Sequence, residues 1–198
     1  MSMIVNRRDI DFYLYEMLDL EGLLKNDRYQ EHDRDTVTAI LDLAQQIAEE
    51  AFLPCAAELD EHEPVFEAGR AVTPDSLKAC LKTFVEAGLP AATFDAALGG
   101  MQLPMLVANF MQGIFQAANG SAVGYIFLTT SNAHMLEACG SDALRARYLP
   151  PLVEGRWFGT MCLSEPHAGS SLSDIRCMAE PLGDGSFKLT GTKMWISG

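Results

Sequence analysis

The sequence predicts an α+β fold, with a helical domain to about residue 155 and then the opening strands of a β domain. Three observations carry this. Apolar residues make up 48% of the 198 positions, enough for a sizeable core. Between residues 37 and 136 they recur at helical spacing. After Trp157 the texture changes to short apolar runs broken by glycine turns. We divide the chain into an N-terminal extension and linker (1–35), a helical domain (36–155) and the incomplete start of a middle β domain (156–198).

The elements follow in order. Phe12, Leu14, Met17, Leu18, Leu20 and Leu24 predict one or two short amphipathic helices that dock elsewhere on the protein. The polar run Lys25–Asp35 is a linker ending in an N-cap, Asp33 or Asp35. Val37, Ile40, Leu41, Ala44, Ile47, Ala48, Ala51 and Phe52 keep a 3.6-residue period and predict a helix. Thr73 and Pro74 open a second helix as N-cap and N1, and Gly88 closes it. A third stripe runs from Leu103 to Phe115. Residues 122–136 are apolar around most of the girth, which predicts a buried central helix ending at Gly140. Ser141 caps a helix expected to halt near Pro150 and Pro151. Residues 158–164, 176–181 and 187–190 read as strands, 193–197 as the start of another, and Gly183–Ser186 as a hairpin turn. Two or three such strands leave an exposed edge and a half-covered apolar face. The chain is therefore expected to be an N-terminal fragment of a longer protein or the product of a truncated gene.

Charge and cysteine usage exclude several functions. The net charge is −13, which argues against a nucleic-acid surface and against general attraction to anionic lipid. An anionic ligand would need a local site of backbone N–H groups or a few placed cations. The five cysteines lack CxxC spacing and fit reduced thiols in a cytoplasmic protein. No set of residues has convincing metal-ligand spacing. There is no signal-peptide core and no window approaching a membrane span.

The stretch MCLSEPHAGSS, residues 161–171, concentrates the chemistry. Ser164, Glu165, His167 and Ser170 contain the residue types of a hydrolase triad, but sequence neighbours seldom converge and GxSxG is absent. A second reading makes the proline turn and Gly169 a cradle of backbone N–H groups for a diphosphate. A third makes the stretch an ordinary exit from a strand. Trp195 is either core or a flat face beside a cofactor, and His134 is read as a hydrogen-bonded core histidine.

Two motifs together carry a resemblance. Cys162-Leu163-Ser164-Glu165-Pro166-His167-Ala168-Gly169-Ser170, followed by Gly191-Thr192-Lys193-Met194-Trp195-Ile196-Ser197, resembles the acyl-CoA dehydrogenase family. Tyr148-Leu149-Pro150-Pro151-Leu152 and Gly155 also fit it, and the likeness covers about residues 36–198. The N-terminal helices and the Pro-His pair are similar to the longer subfamily that includes methylmercaptopropionyl-CoA dehydrogenases. The resemblance implies a helical domain followed by the first strands of a β-barrel-like middle domain. It implies FAD as cofactor, an acyl-CoA substrate oxidised to the trans-2-enoyl-CoA, an electron-transferring flavoprotein as acceptor, and a homodimer or homotetramer at full length.

Carried over by residue, the resemblance places Met161, Cys162, Leu163, Ser164, Gly169 and Ser170 along the flavin, with Ser170 also towards the substrate. Trp195 would cover one flavin face, with Ile196 beside it, and Ser197 would offer its hydroxyl to N5. The resemblance puts the catalytic base in a C-terminal bundle outside these residues and gives Glu165 a structural role in the loop. Acyl tail length would be set by helices of the segment 101–136. Ser171 stands where the family usually has aspartate, with Asp174 near enough to compensate, and Met161 replaces a frequent aromatic. On this basis the 198 residues alone are expected to bind FAD poorly and to lack dehydrogenase activity. The alternative is a non-catalytic helical interaction module that binds no flavin.

Overall fold

The computed structural model describes residues 2 and 4–197. The chain opens with α1 (Arg7–Asp11), a π-helical turn Phe12–Met17, and α2 (Leu20–Leu23). Ile10, Leu14 and Leu20 point from these into the same core as Val37 and Leu41, so the segment docks on the helices that follow it. At residues 25–33 a 3₁₀ turn (Asp27–Tyr29) leads to the Asp33 cap. The Asp33 carboxylate accepts from the Thr36 N–H at 2.8 Å while the Asp33 N–H donates to Thr36 Oγ1 at 2.7 Å, forming a closed capping box.

The periodic helix is α3 (Arg34–Ile47), which widens to a π turn (Ala48–Phe52), tightens to a 3₁₀ turn containing Pro54 and resumes as α4 (Ala56–Glu61). Pro54 lacks an N–H, so the ladder is disturbed there. Buried Asn119 compensates, donating from Nδ2 to the Phe52 carbonyl at 3.0 Å and accepting with Oδ1 from the Ala122 N–H at 3.0 Å. The second predicted helix, α5 (Asp75–Glu86), starts one residue later than expected. Pro74 is extended at ψ 145°, which makes it the N-cap, and Asp75 begins the first turn. Gly88, at φ +73°, ends the helix in a left-handed cap. A hairpin of β1 (Val65–Glu67) and β2 (Arg70–Val72) precedes α5. The sequence reading missed it, although Ala68-Gly69 supplies its tight turn, both residues having positive φ.

The core lies where α3, α5 and α6 (Met105–Ala118) meet α7 (Gly120–Cys139). Phe115 sits at its centre, 4.9 Å from the ring of Phe52 and 5.1 Å from that of Phe84. Two expectations need correction here. α7 buries only Ala122, Val123, Thr129 and Ala133, and Phe127 is 49% exposed. Its remaining face borders an open cleft beside α6, so an all-round apolar sequence does not give an all-round buried helix. α8 (Asp142–Val153) runs through Pro150 and Pro151 rather than halting there. Burial of Leu149, Leu152 and Val153 against Phe94 and Ala133, with Pro151 also buried, outweighs the lost ladder bonds.

Beyond α8 the chain is mostly extended. β3 (Met178–Pro181) pairs antiparallel with β4 (Phe187–Thr190), Met178 opposite Thr190. Gly183 and Gly185 have positive φ, and the Ser186 N–H donates to Asp184 Oδ1 in the turn between them. The first strand of this pair starts at 178, not 176, because the N–H groups of Arg176 and Cys177 donate to the Glu165 carboxylate instead of a ladder. Residues 158–164 and 193–197 are not full strands. Among the described residues the one β-bridge between them is the isolated antiparallel pair Met161 with Ser197, and no continuous ladder forms.

Candidate functional site

The stretch 161–171 forms a tight turn around Glu165. The Glu165 N–H donates to the Ala168 carbonyl at 2.9 Å, and the Ala168 N–H returns the bond to the Glu165 carbonyl at 3.1 Å. Pro166, with its preset φ, sits inside this loop, and Ala168 is buried beneath it. The Glu165 side chain points inward and is 2% exposed. Its carboxylate accepts from the Arg176 N–H at 2.7 Å, the Cys177 N–H at 3.0 Å and Lys193 Nζ at 2.8 Å. Lys193 and these main-chain donors hold its carboxyl well below the usual carboxylate range. In return Glu165 raises both the Lys193 ammonium and the Cys177 thiol.

Lys193 links two parts of the chain. Its ammonium also donates to the Leu163 carbonyl at 2.9 Å, and one residue on, the Met194 N–H donates to the Ser164 carbonyl at 3.0 Å. The Met161–Ser197 bridge and a hydrogen bond from Thr160 Oγ1 to the Ser197 carbonyl complete the seam. Two motifs about thirty residues apart in sequence thus lie side by side. Just before the second motif, Gly191 lets the chain pass close to Cys177: at φ +145°, a Cβ there would run into Cys177 Sγ and lie 2.9 Å from Cys177 Cα.

The seam leaves a particular set of groups outward. Met161, Cys162, Leu163, Gly169, Ser170, Trp195, Ile196 and Ser197 are all exposed, and Ser164 is half-buried. Trp195 is 82% exposed and has φ +59°, a left-handed backbone that costs a bulky residue about 1–3 kcal/mol. Among the described residues no core packing accounts for such a side chain. The carbonyls of Leu163 and Ser164 are taken by Lys193 and Met194. Among the described residues, the N–H groups of Leu163, Ser164, Gly169 and Ser170 have no protein acceptor. A Cβ added at Gly169 would meet nothing within 4 Å, so the loop faces open space there. Outward donors, small hydroxyls and an exposed indole are chemically suited to a flat aromatic cofactor with a diphosphate.

The hydrolase reading finds no support in this arrangement. His167 Nε2 lies 3.2 Å from the Asp174 carbonyl and 3.6 Å from Glu165 Oε2, and among the described residues no serine hydroxyl bonds to it. Asp174 follows Ser171 in a 3₁₀ turn, its N–H donating to the Ser171 carbonyl, which keeps its main chain close to the loop.

A second feature lies on the helices. An open, largely apolar cleft of about 290 Å³ runs between α6 and α7, bordered by Leu89, Met105, Ala108, Phe127, Thr130 and His134. His134 stacks on Phe94 with ring centroids 4.2 Å apart, and its Nε2 meets Thr93 Oγ1 at 2.9 Å. The imidazole is therefore a hydrogen-bonded wall of the cleft, not a free ligand. The β segment is joined to α7 by the Gly159 N–H, which donates to Thr129 Oγ1 at 2.9 Å. The cleft itself was not legible in sequence, because apolar periodicity marks a packed face and a gap between two such faces equally.

Comparison with known proteins converges on one family. Residues 34–156 match the family described as acyl-CoA dehydrogenase, N-terminal domain. The 3-methylmercaptopropionyl-CoA dehydrogenase of Ruegeria pomeroyi is 35% identical over 190 residues, which cover 96% of this chain and 32% of that protein. A butyryl-CoA dehydrogenase of Syntrophomonas wolfei is 30% identical over 195 residues, covering 96% and 32%. Among solved structures, an acyl-CoA dehydrogenase complexed with FAD from Bacillus anthracis shares the fold, with TM-score 0.65 and 22% identity over 84% of this chain and 27% of that one. The chain spans about a third of the length of the curated relatives it matches.

Proposed function

The chain belongs to the acyl-CoA dehydrogenase family, matching its N-terminal domain, and from that premise we propose that it forms the helical and first flavin-facing part of an FAD-dependent acyl-CoA dehydrogenase. One observation carries the reading. The two motifs that resemble the family's flavin-contacting segments come together, through Met194 and Ser164, into one exposed wall bearing Trp195.

FAD, when bound, supplies the hydride acceptor for oxidation of the α,β C–C bond of an acyl-CoA thioester to a trans-2-enoyl-CoA, and passes the electrons to an electron-transferring flavoprotein. The residues of this chain bind and orient. The N–H groups of Leu163 and Ser164 and the Ser164 hydroxyl face the isoalloxazine edge, with Met161 and Cys162 leading into the wall. Gly169 and Ser170 meet the diphosphate, Ser170 also bordering the substrate. The Trp195 indole would cover one face of the ring system and exclude water from it, with Ile196 at its flank and the Ser197 hydroxyl offered to N5. The acyl tail enters the cleft between α6 and α7.

The proton-abstracting carboxylate lies outside these residues. Glu165, the carboxylate of the wall, is turned inward and already accepts three hydrogen bonds. The five cysteines are free and, among the described residues, no helix is long and apolar enough to cross a membrane. Our assignment of the full-length enzyme to the cytoplasm, as a homodimer or homotetramer, rests on the family resemblance and the reduced thiols.

Purification of the full-length protein containing this chain tests the proposal. It should carry flavin absorption that bleaches anaerobically on addition of an acyl-CoA. A colourless protein that takes up no FAD would support the non-catalytic interaction module instead.

A further inference from the structure

We propose that Glu165 and Lys193 form a positioning clamp that sets the distance and register between the two cofactor-facing segments, 161–170 and 193–197. This rests on the flavin-site reading above.

A buried ion pair is a costly way to hold two loops, since both charges lose water and need compensating hydrogen bonds. Here the compensation comes from groups whose positions matter. The Glu165 carboxylate gathers the Arg176 and Cys177 N–H groups, thereby fixing the point where β3 begins. Lys193 spans from that carboxylate to the Leu163 carbonyl, thereby holding the main chain of the first segment. The Lys193 side chain is 23% exposed and that of Glu165 is 2% exposed, so water competes little for either. Met194, the next residue, then reaches the Ser164 carbonyl, and Trp195 follows at a strained positive φ. Among the described residues little packs on the Trp195 side chain, which is 82% exposed. The clamp two residues upstream is the anchor that the geometry offers for it. His167 Nε2, 3.6 Å from Glu165 Oε2, and the Cys177 thiol are the other titratable groups facing the carboxylate.

The clamp also uses both carbonyls that border the loop, Leu163 through Lys193 and Ser164 through Met194. The outward surface of the first segment is left with N–H donors, which suits the acceptor-rich edge of a flavin. Glu165 and Lys193 therefore act through Leu163, Ser164 and Trp195 and touch no reacting atom.

The test uses the full-length protein with FAD as titrant. Glu165→Gln and Lys193→Met should each weaken FAD binding by about tenfold or more, the scale on which lost outer-shell support weakens a bound group. Both should alter the visible circular dichroism of the flavin that remains bound. Lys193→Arg, which keeps the charge and can still donate to both oxygens, should recover most of the affinity. Hydrogen exchange gives a readout without cofactor: the Met194 amide should lose protection in Glu165→Gln and Lys193→Met. If wild-type protein binds FAD and the variants match it in affinity, flavin dichroism and Met194 protection, the clamp is overturned while the flavin site stands. If wild-type protein binds no FAD, the functional reading fails and the proposal falls with it.

Discussion

The main-chain N–H of Met194 donates to the carbonyl of Ser164 at 3.0 Å, and this bond joins two sequence motifs into one surface. A hydrogen bond between segments so far apart in sequence fixes register as well as proximity. It sets Trp195 beside Leu163 and Ser164.

Glu165 is spent on structure, so it should not act in the chemical step. In full-length protein saturated with FAD, Glu165→Gln should keep the rate of flavin reduction by acyl-CoA within about tenfold of wild type, well short of the loss expected for a general base. Stopped-flow absorbance measures this. A loss of several orders of magnitude with FAD fully bound would make Glu165 catalytic.

The same pair predicts a pH dependence. The folded Glu165 carboxyl lies below its unfolded value of about 4.3, so its stabilisation is complete above that pH and is lost as pH falls. Lys193 is raised above its unfolded value of about 10.4, so its contribution is complete below that pH and is lost as pH rises further. The difference in melting temperature between wild type and Glu165→Gln should therefore be flat from about pH 6 to pH 9 and shrink below about pH 4. A difference that grew on acidification would contradict the assigned direction.

Two glycines should separate structure from binding. Gly191→Ala forces a Cβ into Cys177 at φ +145° and should lower the melting temperature of the chain. Gly169→Ala meets nothing within 4 Å and should change stability by no more than about 0.5 kcal/mol. In full-length protein Gly169→Ala should nonetheless weaken FAD binding, because the added methyl occupies the cofactor's side of the loop. Thermal melts and FAD titrations of both variants decide the matter.

The cleft between α6 and α7 should set acyl length. Thr130→Phe projects a ring into it and should lower kcat/KM for long acyl-CoA substrates more than for short ones. An equal loss across chain lengths would place the tail elsewhere.

How far the residues alone foretold this follows from where the information lies. The helix from Arg34 was legible because burial of Val37, Leu41, Ala44 and Ile47 imposes a period that the sequence must obey. The cap was narrowed to Asp33 or Asp35 because it needs a short polar side chain, and the structure uses Asp33. The run through Pro150 and Pro151 was not, because packing on Phe94 overrides the local preference of proline. The start of β3 was misplaced for a similar reason: the N–H groups of Arg176 and Cys177 answer to Glu165, eleven and twelve residues away. The paired motifs of the candidate site were visible as a resemblance. Their joining through Lys193 depends on tertiary geometry that no local pattern encodes.

The most direct measurement is titration of FAD into the full-length apoprotein, comparing wild type with Trp195→Ala. We expect wild type to bind FAD and quench its fluorescence through the stacked indole, and Trp195→Ala to bind more weakly with much of that fluorescence restored. Equal affinity and equal quenching in the two proteins would show that the wall carrying Trp195 is not the flavin site.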